Sequence, residues 1–348
     1  MSPRVAGIDP GTVSLDVCVM DDGVPVLERS YATRDLAAEA QELVGTLRSH
    51  GPFDLVLGPA GYGLPLVPGA QLDDAALSLI VLVRADERGR DQGVVGLRGL
   101  IRALVAGGLP LVFGPGVIHL PTVPGRRKHN RIDLGTADKV AAVASAIEDQ
   151  ATRLGVGYEQ TSFILLDLGG AFTAAIAVDA GQIVDGLGGT SGPAGARACG
   201  ALDGEVAYLL APRLRKATLF SGGLLAAGDE LEPAQGDPAA ADRRLAYEEA
   251  AAKAVLALTA VVPRPREILL TGRMARTPGL AGALGRRLAH VAPVRPGGRG
   301  AAHGAALIAD GLAGGRHAPL VDRLRLREAS GTALDHLTLA QAGGIALA

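Results

Sequence analysis

An internal echo constrains the fold more than any other feature. "VAGIDPGTVSLDVCVMDDGVPVLE" (5–28) is answered by "FILLDLGGAFTAAIAVDAGQIVDG" (163–186) at a constant offset of 158 positions. At that offset Asp9 faces Asp167, Gly11 faces Gly169, Asp21 faces Asp179 and Gly23 faces Gly181. Each copy reads as an apolar strand, a turn opening Asp-x-Gly, a second apolar strand, and another Asp/Gly turn into a third. A plain β-meander also gives strands of this length with glycine turns, but four matched positions without a gap favour duplication. Two related halves, each opening with an antiparallel hairpin, are expected, and 348 residues suffice for two cores.

Between and after the copies, strands alternate with helices. "DLVLGPA" (54–60), "LPLVFGP" (109–115) and "REILLTG" (266–272) read as buried strands. Helical spacing marks 33–51, 136–155, 242–262, 278–291 and the small-residue stretch 300–314, with Thr136 as N-cap and Gly155 as C′ of the second. The stretch 228–244 reads as a surface loop. The expected class is a mixed α/β chain, divided 1–158, 159–315 and a terminal segment 316–348 that packs back on the first domain.

Cys18 and Cys199 lack nearby partners, which argues against a disulfide framework or a zinc site and fits a reducing cytoplasm. Cys18, His119 and His303 read as structural residues. The N-terminus meets an aspartate before a signal-peptide h-region forms, and apolar runs such as 75–83 are too short to span a bilayer. A formal charge of −2 and 3% aromatic residues point away from nucleic acid. The expectation is a cytoplasmic protein with a small-molecule partner, with no nucleic-acid or membrane partner; homodimerisation is left open.

An aspartate ending a buried strand and followed by glycine lets backbone approach a ligand closely. In the first turn the N–H groups and the Thr12 and Ser14 hydroxyls suit phosphate oxygens. Asp9 and Asp167 suit Mg²⁺, which keeps most of its waters. If the halves face one another, both turns converge on one cleft.

The two turns, the glycine-rich "DGLGGTSGPAG" (185–195) and "ILLTGRMARTPGL" (268–280) resemble the superfamily of actin, sugar kinases and acetate or butyrate kinases. The resemblance spans most of 1–315. It implies two duplicated actin-like (ribonuclease H-like) domains flanked by helices, with ATP and Mg²⁺ in a central cleft. Asp9, Gly11 and Thr12 would hold phosphate and metal from one side, and Asp167, Gly169 and Gly170 from the other. Gly188 and Gly189 would lie in the glycine-rich loop, and Thr271, Gly272 and Arg273 would hold the adenosine. Within the superfamily the likeness is greatest to butyrate kinases and to a family predicted to be butyrate-kinase-like, with the signature RKxNRIDxGTADK. This chain has "RKHNRIDLGTADK" at 127–139. Asp167 stands where butyrate kinases have histidine, and Ala171 where they have a third glycine.

The segment 125–139 is the densest polar stretch of the chain. It reads either as a solvated basic loop before a capped helix or as an anion clamp at the domain interface. Arg131 is the first choice for neutralising the acceptor or the moving phosphoryl group, with Arg126 and Arg127 pointing to solvent. Asp133 and Asp138 separate two mechanisms: a hydroxyl acceptor benefits from a carboxylate base, whereas a carboxylic acid is already ionised. The resemblance favours an ATP-dependent kinase of short-chain carboxylates. The alternatives are a sugar or polyol kinase with Asp133 or Asp138 as base, and a non-catalytic nucleotide-binding regulator.

Overall fold

The structure, a computed structural model, describes residues 2–11, 14–32, 36–87, 95–225 and 238–348. The first half contains β1 (Arg4–Pro10), β2 (Ser14–Asp21), β3 (Val24–Ala32), α1 (Leu36–His50), β4 (Leu55–Gly58), β5 (Val67–Pro68), α2 (Asp74–Val81), α3 (Val95–Ala106), β6 (Leu111–Phe113), α4 (Gly125–Lys128) and α5 (Ala137–Leu154). The second contains β7 (Phe163–Leu168), β8 (Thr173–Asp179), β9 (Gln182–Leu187), α6 (Gly204–Leu210), α7 (Pro238–Thr259), β10 (Glu267–Thr271), α8 (Leu280–Leu288), β11 (Val294–Pro296), α9 (Ala301–Leu312) and α10 (Ala318–Leu324).

Two mixed sheets result, ordered β3-β2-β1-β4-β6-β5 and β11-β10-β7-β8-β9. In each, an antiparallel three-strand meander is extended by two parallel strands beside its first strand, and in the first sheet the short β5 adds an antiparallel edge on β6. The echo extends to the backbone. The second hairpin of each meander has a register shift, at Val19/Met20 and at Ala177/Val178, again 158 positions apart. Both turns place two successive residues at positive φ, Asp22 (50°) and Gly23 (66°) in one, Ala180 (47°) and Gly181 (69°) in the other. Paired positive φ values match the twist of a tight hairpin.

The core lies in layers. Helices α1, α2 and α3 cover the outer face of the first sheet, and α7 and α8 that of the second. Between the sheets run α9, against β1, β2 and β4, and α5, against β7 and β8. Small residues allow this: a Cβ on Gly304 would lie 1.7 Å from the Ala141 carbonyl oxygen, and one on Gly7 2.3 Å from the Ala306 nitrogen. Beyond α9, α10 packs on that helix, and Ala348 returns to the first half, donating to the Val83 carbonyl at 2.8 Å.

Two local expectations change. Residues 238–244 begin α7 rather than forming a loop, and 226–237 lie outside the described residues. Thr136 is the N-cap of α5 by position only; its hydroxyl donates to Asp138 instead of receiving a backbone N–H. Gly155 closes that helix at φ 63°. Among the described residues no helix is long and apolar enough to cross a membrane.

Candidate active site

Residues from both halves line a cleft of about 1280 Å³. Its floor is made by the ends of β1 and β7 and the first turn of α5. From the first half come Asp9, Gly11 and Ser14, and from the second Asp167, Gly169, Gly170 and Gly189; Asp133 and Asp138 also line it. Thr271, Gly272 and Arg273 form one wall. Gly188 stands one residue behind that lining, and Thr12 lies outside the described residues.

The central tie is a residue the sequence reading passed over. Lys139 Nζ lies 2.6 Å from Asp138 Oδ2 and 2.5 Å from Asp167 Oδ2, joining the two halves at the cleft floor. Burial alone would lower Lys139, but Asp138 and Asp167 outweigh it and hold the ammonium well above its ordinary value. Burial would raise Asp138, yet Lys139 and the Thr136 hydroxyl keep it below the usual carboxylate range. For Asp9 the balance goes the other way. Burial, then the negative charge of Asp138, push it up to about 8, with Lys139 opposing.

These charges test the metal assignment. Among the described residues no group of three His, Cys, Asp or Glu side chains forms a cage. Mg²⁺ does not require one, since it is held by one or two carboxylates, waters and substrate phosphates. Asp9 fits: a carboxylate opposed by burial and by Asp138, Asp16 and Asp167 is stabilised by a cation. Asp167 is already neutralised by Lys139, so it fits a metal only by sharing its charge.

The glycines serve close approach. Gly272 has φ 88°, and a Cβ there would meet Leu168 O at 2.4 Å and Asp167 Oδ1 at 2.8 Å. The loop after β10 therefore rests on the Asp167 turn. The loop Gly297–Gly300, before α9, lines the same side and was not singled out from the sequence. Its Arg299 amide donates to Ser145 Oγ (2.8 Å), which lies 3.2 Å from His303 Nδ1.

Asp133 is buried and occupied. Its Oδ1 accepts the Gly135 amide (3.1 Å), and its Oδ2 accepts both the amide and the hydroxyl of Thr190 (2.8 Å each). Its carbonyl oxygen accepts from Gly188 and Ser191. A Cβ on Gly188 would lie 1.8 Å from Asp133 Oδ1, so that glycine is where the loop presses on the carboxylate. Arg131 does not reach the cleft: its neighbours Asp133 and Leu134 are buried, while Arg131 is exposed and contributes to the field on Asp185. Arg127 is not left to solvent, since Nη1 donates to the Val184 carbonyl at 2.7 Å.

A family model described as "Protein of unknown function (DUF1464)" matches residues 7–339. The chain belongs to this family. No curated protein matches it. Among solved structures, the DUF1464 chain is similar to a propionate kinase from Francisella tularensis (TM-score 0.62, 13% identity, 88% of this chain and 98% of that one). It is also similar to an acetate kinase from Porphyromonas gingivalis (0.59, 14%, 88% and 98%) and one from Entamoeba histolytica (0.59, 13%, 82% and 86%). At these identities the likeness is one of fold: the chain shares the α/β architecture of these kinases, with two mixed sheets that each open with the antiparallel hairpin expected from the echo.

Proposed function

We propose that the protein is an ATP- and Mg²⁺-dependent phosphotransferase with a small carboxylate as acceptor. The observation that carries this is the meeting of Asp9 and Asp167, equivalent residues of duplicated hairpins, in one cleft with Lys139 and Asp138 between them. The triphosphate would lie between the 9–11 and 167–170 turns, with the adenosine against Thr271–Arg273. Asp9 would hold Mg²⁺ through its waters, and Asp167 would share it. When bound, that ion supplies positive charge to the phosphate oxygens. Lys139 takes the neutralising part first assigned to Arg131, because phosphoryl transfer needs a cation within the cleft. Closure of 1–158 against 159–315 would exclude water from the transfer.

The acceptor class follows from the carboxylates. A hydroxyl acceptor calls for a base, but the Asp133 oxygens accept three hydrogen bonds, and Asp138 is held by Lys139 and Thr136. A carboxylate acceptor needs no base. The similarity to acetate and propionate kinases supports the same choice at the level of fold.

The test has two stages. ADP·Mg²⁺ at ~100 times its dissociation constant should stabilise the protein by about 2.7 kcal/mol, read as a rise in Tm. With ATP, hydroxylamine should then trap a hydroxamate from acetate, propionate or butyrate. No nucleotide shift overturns the reading; a shift with no hydroxamate, and ATP consumed only with a sugar, moves the acceptor to a hydroxyl.

A further inference from the structure

Residues 203–223 leave the second half, reach across the cleft and return. No residue among them is buried, and Tyr208 and Leu209 are 76% and 70% exposed. An element with so little buried apolar surface has little of its own to hold it in place. Its two ends are tied together: Cys199 N donates to Ser221 O (2.8 Å) and Gly223 N to Arg197 O (2.9 Å). Gly200 and Gly222 flank this tie at φ 74° and 75°, a conformation that suits glycine.

Polar contacts join it to the first half. The Lys216 amide donates to Glu87 Oε2 at 2.8 Å, and Glu87, only 4% exposed, is fixed by Arg84 at 2.8 Å. Arg84 also donates to the Leu214 carbonyl at 3.2 Å, and Arg215 faces Asp86 at 3.6 Å. Lys216 Nζ donates to Tyr62 Oη at 3.1 Å and stands 4.5 Å over the Tyr62 ring. Phe220 meets Phe172 edge to face, 5.1 Å between centroids. Tyr62, Phe172, Lys216 and Phe220 all line the cleft.

We propose that residues 203–223 form a lid over the acceptor end of the cleft, latched to the first half through Glu87 and Tyr62. Closed, the lid gives this end of the cleft a cation, Lys216, and an aromatic edge, Phe220; open, it removes both and admits the acceptor. That the lid serves an acceptor rests on the phosphotransferase reading. Its movement does not, so the test measures movement alone. Nitroxide labels on Leu209→Cys in the lid and Ser49→Cys on α1, in a Cys199→Ser background, report the distance across the latch. The wild-type latch should give one dominant distance. Glu87→Ala and Lys216→Met should each raise a second, displaced population, by about tenfold relative to the first, as expected for loss of a charge-assisted hydrogen bond. Distance distributions identical to wild type in folded variants overturn the lid. Should Glu87→Ala fail to fold, Lys216→Met decides, because its side chain leaves from a segment with no buried residue.

Discussion

A lysine in the first turn of a helix sits against the positive end of the helix dipole. Lys139 occupies such a place at the start of α5, and the compensation is two carboxylates, one on each half. That conflict was legible in the sequence "GTADK" and was the available sign that Lys139 has a partner. The partner Asp167 was not legible, because only the fold sets the turn after β7 against the start of α5. Lys139→Met leaves Asp138 and Asp167 facing one another without a cation. Loss of one member of a buried ion pair costs about 3 kcal/mol, so urea unfolding should show a loss of that order. Phosphoryl transfer should fall by at least about a hundredfold if the cation stabilises transferring charge. Lost stability with unchanged turnover would make Lys139 a structural tie only.

At the level of elements, the echo predicted the strands and their Asp/Gly turns, and the structure extends it. The matched Asp-x-Gly turns, the register shifts and the positive-φ pairs share one offset because a tight hairpin admits few turn chemistries. Helix contacts were harder to anticipate. The small residues of 300–314 pointed to close packing, but not to α5 as the partner. Gly304 makes that contact measurable: with its Cβ 1.7 Å from Ala141 O, Gly304→Ala must push backbone from backbone. A loss of about 2–3 kcal/mol is expected, in the range of overpacked cores. Gly45, in α1, has nothing within 4 Å of its built Cβ. Gly45→Ala should instead stabilise by about 0.5–1 kcal/mol. Equal effects in the two variants would dissociate stability from the α5–α9 approach.

Across the whole molecule, what escaped the sequence is what depends on the halves meeting: the Lys139 bridge, the latch at Glu87, and the outward turn of Arg131. None of these leaves a periodic signal, since the bridge and the latch join residues from distant elements and the direction of a loop side chain follows from the packing around it. The same dependence makes the assembled molecule sensitive to acid. His119 and His303 are both buried, and burial pushes each down to about 4 from an ordinary value of 6.5. An imidazole depressed in the folded state binds its proton more readily when the chain unfolds. The stability that neutral His119 and His303 contribute is therefore present above pH ~6.5 and is lost as pH falls toward ~4. Each contributes at most about 3 kcal/mol across that window, and among the described residues none offers the Nε2 of His119 an acceptor for a second proton. His303 lies between α5 and α9 through Ser145, so its protonation strikes the packing that joins the two sheets. Asp9, pushed up to about 8, acts in the opposite sense over the same range, because a carboxyl that binds its proton more tightly in the folded state adds stability as pH falls. The histidine contribution is therefore read as a difference: between pH 7 and pH 4 the Tm of wild type should fall relative to that of His303→Gln, which keeps a hydrogen bond to Ser145 without the titrating group. A Tm that changes with pH in His303→Gln and His119→Gln just as it does in wild type would place the acid-sensitive groups elsewhere.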